Sequence, residues 1–215
     1  MHFSAYNEYL FGDGCVTVQE IGSRHIYPIF KNGSTTISSF NGRNLSLNEI
    51  EKLEVIDVYV RNPTQRLRSG IHTFLTLYCS HLDRDTSLYF IKKFFYLDRH
   101  FSPQIFWLIN LNRFYRGEVM IRSVDKLSEL TNKKFNVNVE DTSYLNEVFE
   151  DPEFKDKIEL ICQLDHAILA LQGKRLPIDE VFRSIREHCP RAYDIVIYSP
   201  YTMLSSVQDH METET

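Results

Sequence analysis

Apolar and polar positions along the chain predict short strands that are each followed by a helix. Two apolar runs are typical of buried strands. The first is Arg24 to Phe30, in which Pro28 weakens the prediction. The second, Val55 to Val60, is β-branched and aromatic apart from Asp57, which we expect to pair with a buried Arg or Lys. These two runs are the best strand candidates in the first half of the chain.

A helix is predicted directly after each of the two strands. Asn62 can cap a helix that has Pro63 at its first position, and apolar residues then recur at helical spacing as far as Leu82. The first strand runs into a polar loop that contains Gly33, and a short helix ending at Phe40 is predicted after it.

Further elements are predicted along the rest of the chain. Ser46 and Glu49 fit a capping box for a brief helix, and Glu118 to Arg122 is predicted as a strand. Four more helices are predicted by apolar periodicity, over Thr86 to Leu97, Val124 to Leu130, Glu153 to Leu171 and Asp179 to Cys189. Residues 1–20 are predicted as an irregular lead-in, and the polar residues 205–215 as a frayed tail.

The alternation of strands and helices predicts the fold class. It is typical of an α/β domain with a largely parallel sheet that is flanked by helices on both faces. The length of 215 residues fits a single domain, with a C-terminal part that is mostly helical. Ligands of such sheets bind beyond the carboxyl ends of the strands. The loops that begin at Lys31 and Arg61 are predicted to lie there.

Composition and charge narrow the classes of function. With 43% hydrophobic and 25% charged residues, the chain resembles an average globular protein. A net charge of −5 disfavours a nucleic-acid-coating protein. We expect no membrane span, since no run of about 18 apolar residues occurs. The N-terminal residues lack the basic and apolar regions of a secretory signal, so we expect a cytoplasmic protein whose cysteines are reduced thiols.

The loop from Lys31 to Thr36 combines residue types that bind phosphate. Gly33 lets the backbone turn closely around an anion, and the N–H groups of the following helix start point toward it. Lys31 supplies a positive charge, and three hydroxyls can donate to phosphate oxygens, those of Ser34, Thr35 and Thr36. In a Walker A loop the Lys follows the second Gly, so a kinase is disfavoured. The alternative is a polar connection with a solvated lysine.

The second loop offers a second anion site. Arg61 ends the best predicted strand, and Ser69 follows about two helical turns into the next helix. An arginine and a hydroxyl so placed form a fork for a phosphate group. The alternative is that Ser69 is simply a solvated helix position. Two anion sites on adjacent loops favour a ligand with phosphates at both ends of a nucleoside.

Three segments together resemble the sulfotransferases that use 3′-phosphoadenosine 5′-phosphosulfate (PAPS). Residues 30–36 resemble the 5′-phosphosulfate loop of that family, and residues 58–69 resemble its 3′-phosphate element. Asp98 to Gln104 is similar to the H-[WF]-x-P-Q segment of the carbohydrate sulfotransferases of the Golgi. The three segments occur in the order of the family and cover about the first half of the chain.

The resemblance implies a P-loop-like sheet, PAPS as the co-substrate and no metal ion. The acceptor would be a hydroxyl of a carbohydrate, a glycoconjugate or a small metabolite. Arg61 and Ser69 would hold the 3′-phosphate. Lys31 would also neutralise charge on the departing phosphate. The 5′-phosphosulfate would be held by the first loop, namely by Lys31, Asn32, Gly33, Ser34, Thr35 and Thr36.

The resemblance leaves the general base open. The base must lie within hydrogen-bond reach of the acceptor hydroxyl, and the candidates are, in order, His100, then Glu51 or Glu54, then His72. Family members usually have a longer segment between the two phosphate motifs, and it often carries the base. Only about thirty residues separate Lys31 from Arg61 here. The alternative function is therefore a non-catalytic module that binds PAPS or its product, 3′-phosphoadenosine 5′-phosphate (PAP).

Other basic residues are open to two interpretations. They could contact an anionic acceptor, or they could lie on a solvated face, and at a net charge of −5 the second interpretation is at least as well supported. These residues are Arg43, Arg66, Arg68, Lys92, Lys93 and Arg99.

Overall fold

The structure is a computed structural model that describes residues 17–95, 98–130 and 145–198. Within these residues six strands form one sheet, namely β1 (Gln19–Ile21), β2 (Arg24–Tyr27), β3 (Arg43–Asn44), β4 (Val55–Val60), β5 (Glu118–Ser123) and β6 (Arg175–Pro177). Their order across the sheet is β3-β1-β2-β4-β5-β6. β4 has the bounds that its apolar pattern predicts, whereas β2 ends directly before Pro28 because proline cannot donate to a strand ladder.

The sheet is mixed rather than largely parallel, which corrects the prediction at the edges. The central strands β2, β4 and β5 are parallel, whereas β1, β3 and β6 pair antiparallel with their neighbours. β1 and β2 are joined by a turn at Gly22, whose φ of 60° suits glycine, and so tight a turn can connect only antiparallel strands. β1 begins within residues 1–20, the predicted irregular or weakly paired lead-in. Residues 1–16 and the predicted tail lie outside the described residues.

Helices flank the sheet, in agreement with the predicted class. They are α1 (Ser34–Ser38), α2 (Leu47–Ile50), α3 (Pro63–Tyr78), α4 (Arg84–Phe94), α5 (Gln104–Leu111), α6 (Asn146–Glu150), α7 (Pro152–Leu169), α8 (Ile178–His188) and α9 (190–198). The predicted caps are present. Asn62 accepts a hydrogen bond from the Gln65 backbone at 3.1 Å, and Ser46 and Glu49 form a capping box. From Leu145 to residue 198 the chain is helical except around β6, which confirms a mostly helical C-terminal part.

Two segments differ from the helices that the pattern predicts. Val124–Leu130 is a 3₁₀ helix rather than an α-helix. α5 was not predicted from the sequence. All but one of its residues are buried, so the helix has no polar face that would create a helical period of polar and apolar positions. Trp107 of this helix is a core residue, as the aromatic content of the segment indicates.

The helices after β2 and β4 lie on opposite faces of the sheet. α1 packs Ile37 against Tyr59 and Ile26 on one face. α3 packs Leu67 on the other face, in the large core that includes Val58. When neighbouring parallel strands send their connections to opposite faces, a crevice opens at their carboxyl ends. This is the place in which the sequence predicts a ligand.

Asp57 has the partners that we expected for a carboxylate inside an apolar strand. Its side chain is 8% exposed and pairs with Arg122 at 2.8 Å and Arg24 at 3.4 Å. Both arginines are half-buried rather than buried. The three side chains therefore lie near the surface of the sheet face that α1 covers. Asp57 is therefore accounted for by ion pairs and is not a candidate catalytic group.

Candidate functional site

The two phosphate-type loops lie side by side at the carboxyl edge of the sheet. The first loop, residues 28–33, connects β2 to α1, and the second loop, residues 61–62, connects β4 to α3. β2 and β4 are hydrogen-bonded neighbours. A contact also joins the loops directly, since Nη1 of Arg61 donates to the backbone oxygen of Lys31 at 3.4 Å.

Lys31 extends from the first loop toward the helix of the second. Its ammonium group donates a hydrogen bond to the hydroxyl of Thr73, which in turn donates to the backbone oxygen of Ser69 at 2.9 Å. Lys31 therefore faces the same stretch of α3 that carries Ser69. Its own φ is 66°, a conformation that costs a non-glycine residue about 1–3 kcal/mol and that is most often retained at functional sites.

The start of α1 offers backbone donors. Gly33 precedes the helix with a φ of 77°, which glycine adopts without strain, and no side chain caps this end. The first N–H groups of any helix have no partner within it. The residues that carry them are half-buried (Ser34 and Thr36) or exposed (Thr35). The predicted donors of the first loop are thus arranged around one turn of backbone.

Asn32 has a different position from the one that its place in the loop motif implies. It is fully buried, and its side-chain amide donates to the Tyr59 backbone oxygen at 2.9 Å and to the side chain of Gln104. Its backbone N–H donates to Ile29 at 3.0 Å. Because these groups are already engaged beneath the loop, we no longer count Asn32 among the residues that contact a ligand.

His100 is the base candidate that the fold brings to the crevice. It is 2% exposed, and its ring lies edge-on to Phe30, beside Lys31, with 5.0 Å between ring centroids. Its Nδ1 lies 2.6 Å from a carboxylate oxygen of Asp98. A carboxylate at Nδ1 orients an imidazole and leaves Nε2 as the basic nitrogen. His100 also contacts α3, where a Cβ on Gly70 would lie 2.1 Å from its backbone oxygen.

The structure places the glutamate candidates at the other edge of the sheet, which corrects their proposed role as base. Glu54 directly precedes β4 and forms an ion pair with Arg175 of β6. Glu51 ends α2, a few residues before β4 begins. The six residues of β4, at about 3.3 Å each, separate these carboxylates from the loops by about 20 Å. They cannot reach a proton at the crevice.

His72 remains near the candidate site. It lies on α3, half-buried, between Ser69 and Thr76, whose hydroxyl donates to the His72 backbone oxygen at 2.9 Å. Its position is next to Thr73, the residue that Lys31 contacts. The structure therefore brings together most of the predicted groups, namely Lys31, Gly33, Ser34, Thr35, Thr36, Arg61, Ser69, His72 and His100.

Two buried charges lie beneath the loops, and neither was predicted. Arg66 is fully buried, and desolvation lowers the pKa of its guanidinium to about 10 even though Asp165 opposes this shift. Burial raises the pKa of Asp165 to about 6, although Arg66 and hydrogen bonds from Gln104 act in the other direction. Arg66 is thus not a surface cation, because its motif position faces the core. No sequence pattern distinguishes Asp165 from the other acidic residues of α7.

Two absences complete the description of the site. In the part of the chain that the structure describes, no group of three or more His, Cys, Asp or Glu side chains is arranged to hold a metal ion. Among the same residues, no helix has both the length and the apolar character needed to cross a membrane.

Comparison with known proteins yields no match. None of the protein-family models, the curated proteins or the solved structures is similar to this chain at a significant level. The functional interpretation therefore depends on the residues of this chain and on their geometry.

Proposed function

We propose that this protein is a PAPS-dependent sulfotransferase that transfers the sulfuryl group to a hydroxyl of a carbohydrate or another small acceptor. One observation carries the proposal. The ammonium of Lys31 reaches Thr73, whose hydroxyl bonds the backbone of Ser69, while Arg61 donates to the backbone of Lys31. The two sets of anion-binding groups therefore border one crevice, as a ligand with a phosphate at each end requires.

The residues have complementary roles in this reaction. The backbone and hydroxyl donors of residues 31–36 hold the 5′-phosphosulfate, and Arg61 with Ser69 holds the 3′-phosphate. The acceptor oxygen forms a bond to sulfur while the bond from sulfur to the phosphate oxygen breaks, and PAP leaves. Lys31 stabilises the negative charge that develops on this phosphate oxygen. Positioning and charge stabilisation of this kind are also the main contributions of enzymes to phosphoryl transfer.

His100 is the base in this proposal. With Asp98 bonded to Nδ1, its Nε2 accepts the proton that the acceptor hydroxyl loses. A positioned base of this kind contributes about 10²–10⁴-fold to a rate. The resemblance of residues 98–104 to the carbohydrate sulfotransferases and the position of His100 beside Phe30 both support this role.

A second candidate function is a non-catalytic module that binds PAP or PAPS. It is favoured by the location of Glu51 and Glu54 at the far edge of the sheet, because the short segment between the phosphate motifs then supplies no base. It is also favoured by the low exposure of His100, which is 2%. The two candidates share the nucleotide site and differ only in turnover.

Calorimetry with PAP, PAPS and ATP·Mg²⁺ tests the shared site. We expect PAP to bind, and we expect Lys31→Ala and Arg61→Ala each to weaken PAP about tenfold to a hundredfold, because each removes a charge-assisted contact. The control is Lys52→Ala, which removes an exposed lysine from the amino edge of the sheet. Both candidate functions are wrong if the wild type does not bind PAP or if neither variant weakens it.

Release of PAP from PAPS distinguishes the enzyme from the module. A transferase forms PAP from PAPS, slowly with water and faster with a suitable glycan acceptor. A module binds both nucleotides and releases no PAP above the rate in buffer. A panel of carbohydrate acceptors, followed by PAP formation, therefore decides between the two candidate functions.

A further inference from the structure

The side-chain amide of Gln104 uses all of its hydrogen-bonding capacity, and three of its four bonds go to the two loops. Its oxygen accepts from the backbone N–H of Arg61 at 3.0 Å and from the side chain of Asn32. Its nitrogen donates to the backbone oxygen of Arg61 at 3.1 Å and to Asp165 at 3.0 Å. An amide has two donors and two acceptor lone pairs, so none is left over.

This side chain continues the ladder of the sheet where β4 ends. Both backbone groups of Arg61 pair with it, as they would with a neighbouring strand. Asn32 connects the same amide to the first loop and also to β4, through the Tyr59 backbone oxygen. The fully buried amide of Gln104 thus joins Asn32, the residue next to Lys31, to Arg61 of the second loop.

Asp165 fixes the orientation of this amide. The carboxylate lies on α7, fully buried, and accepts from the Gln104 backbone N–H at 2.8 Å as well as from its side-chain nitrogen. Only the nitrogen of the Gln104 amide can face a carboxylate, so its oxygen must face Arg61 and Asn32. Asp165, in the second half of the chain, thereby orients the amide that holds the two loops in the first half.

We propose that Gln104, oriented by Asp165, is a positioning residue that sets the spacing of the two loops and so matches them to a ligand with two phosphates. The part that concerns the ligand rests on the proposed function, whereas the part that concerns the loops rests on the hydrogen bonds alone. A spacing error affects a nucleotide that must contact both loops at once, and spares one that contacts a single loop.

Gln104→Met tests the inference, with Asn110→Leu as the matched control. Methionine has nearly the length of glutamine but forms none of the four hydrogen bonds. Asn110 is a buried amide on the same helix that donates to the Tyr27 hydroxyl at 2.8 Å, and among the contacts described its side chain bonds to neither loop. Both variants remove a buried amide, and thermal unfolding measures the destabilisation of each; Gln104→Met is expected to destabilise the fold more, because it removes four hydrogen bonds.

Amide hydrogen exchange without any nucleotide is the first measurement. We expect the N–H groups of residues 29–33 and 61–62 to exchange about tenfold faster in Gln104→Met and to be unchanged in Asn110→Leu. Equal exchange in the two variants overturns the inference. This result does not depend on whether the protein binds PAP.

Nucleotide affinity is the second measurement. We compare PAP with adenosine 5′-phosphate and adenosine 3′-phosphate, each of which has one phosphate. Gln104→Met is expected to lose about tenfold in PAP affinity and little in affinity for the other two, whereas a general loss of structure weakens all three. An unchanged preference for PAP overturns the inference. Failure of the wild type to bind PAP defeats the proposed function instead, and the exchange result then decides the role of Gln104 by itself.

Asp165→Asn keeps the inference testable if Gln104→Met does not fold. The asparagine can still accept from the Gln104 backbone, but its NH₂ group faces the Gln104 NH₂ group, so the amide loses its fixed orientation. Loop exchange about tenfold faster in Asp165→Asn than in Asn110→Leu supports the inference, and equal exchange in these two variants contradicts it.

Discussion

The ammonium group of Lys31, in the loop that follows β2, donates a hydrogen bond to the hydroxyl of Thr73, on the helix that follows β4. The backbone of Lys31 has a left-handed conformation, with a φ of 66°. Thr73 lies one helical turn after Ser69 and bonds to its backbone. A lysine predicted to hold one phosphate and a serine predicted to hold another are thus neighbours in space.

Ser69→Ala is expected to affect recognition of the 3′-phosphate selectively. Removal of its hydroxyl deletes one donor to that group, so the affinity for PAP falls about tenfold while the affinity for adenosine 5′-phosphate is retained. Calorimetry with the two nucleotides measures this difference. Thr76→Ala is the control, since the Thr76 hydroxyl bonds only to a carbonyl of its own helix among the contacts described. Equal weakening of both nucleotides contradicts the role of Ser69.

His100→Gln is expected to abolish turnover without abolishing binding. Loss of the base lowers the rate of PAP formation from PAPS and a hydroxyl acceptor by about 10²–10⁴-fold, whereas the affinity for PAP stays within about twofold. His72→Gln is the comparison on α3 and is expected to retain turnover. Turnover that survives in His100→Gln and is lost in His72→Gln would transfer the role of base to His72.

Gly70→Ala is expected to destabilise the fold. The added Cβ would lie 2.1 Å from the His100 backbone oxygen, so α3 and residues 98–103 must move apart. Overpacking of this kind costs about 1–3 kcal/mol, which urea unfolding measures. Ser69→Ala, the adjacent position on the helix, serves as the control and is expected to change the free energy of unfolding by about 0.5 kcal/mol or less. If Gly70→Ala and the control have the same free energy of unfolding, the contact between α3 and the His100 backbone is not rigid.

Asp165 predicts a dependence of stability on pH with a defined sign. Burial raises its pKa in the folded protein to about 6, above the ordinary value of 3.8. Between these values the folded state binds a proton that the unfolded state releases, so the contribution of Asp165 to stability increases as the pH falls from 7 through 6 toward 4. A difference of about two units between the folded and unfolded pKa values changes the free energy of unfolding by about 3 kcal/mol at most.

Urea unfolding of the wild type and Asp165→Asn at pH 7 and pH 5 measures this contribution. The variant has no group that titrates at this position, so the wild type is expected to gain stability relative to the variant at pH 5. Exposed carboxylates such as Glu49, whose pKa is lowered to about 2 by hydrogen bonds, are common to both proteins and cancel. A difference between the two proteins that is the same at both pH values means that Asp165 does not titrate in this range.

Local features of the fold were predictable from the residues that form them. β4 has the predicted bounds because its β-branched run needs no information from elsewhere, and Asn62 with Pro63 starts α3 as expected. Pairings that depend on chain reversal were not predictable in the same way. The antiparallel edges of the sheet depend on the turn at Gly22 and on the distant pairings of β3 with β1 and of β6 with β5, which the alternation of strands and helices does not reveal.

The candidate site, like the fold, was predictable only in its local features. Its cations and hydroxyls were identified from short motifs, since Lys31 and Arg61 lie in the loops that follow β2 and β4, and Ser69 lies about two turns into the helix that follows β4. The role of Gln104 in supporting the two loops was not predicted. Gln104 bonds Asn32 across 72 residues of chain and Asp165 across 61, and no local pattern marks such contacts.

The amino-acid sequence by itself determined which groups of this protein are predicted to face an anion, because turns, caps and strand ends depend on neighbours within a few residues. Only the tertiary structure decided that Glu54 pairs with Arg175 of β6, that Arg66 is buried, and that one amide holds both loops. These outcomes depend on the order and direction of strands far apart in the chain. That order is set by the burial of the whole core rather than by any one segment.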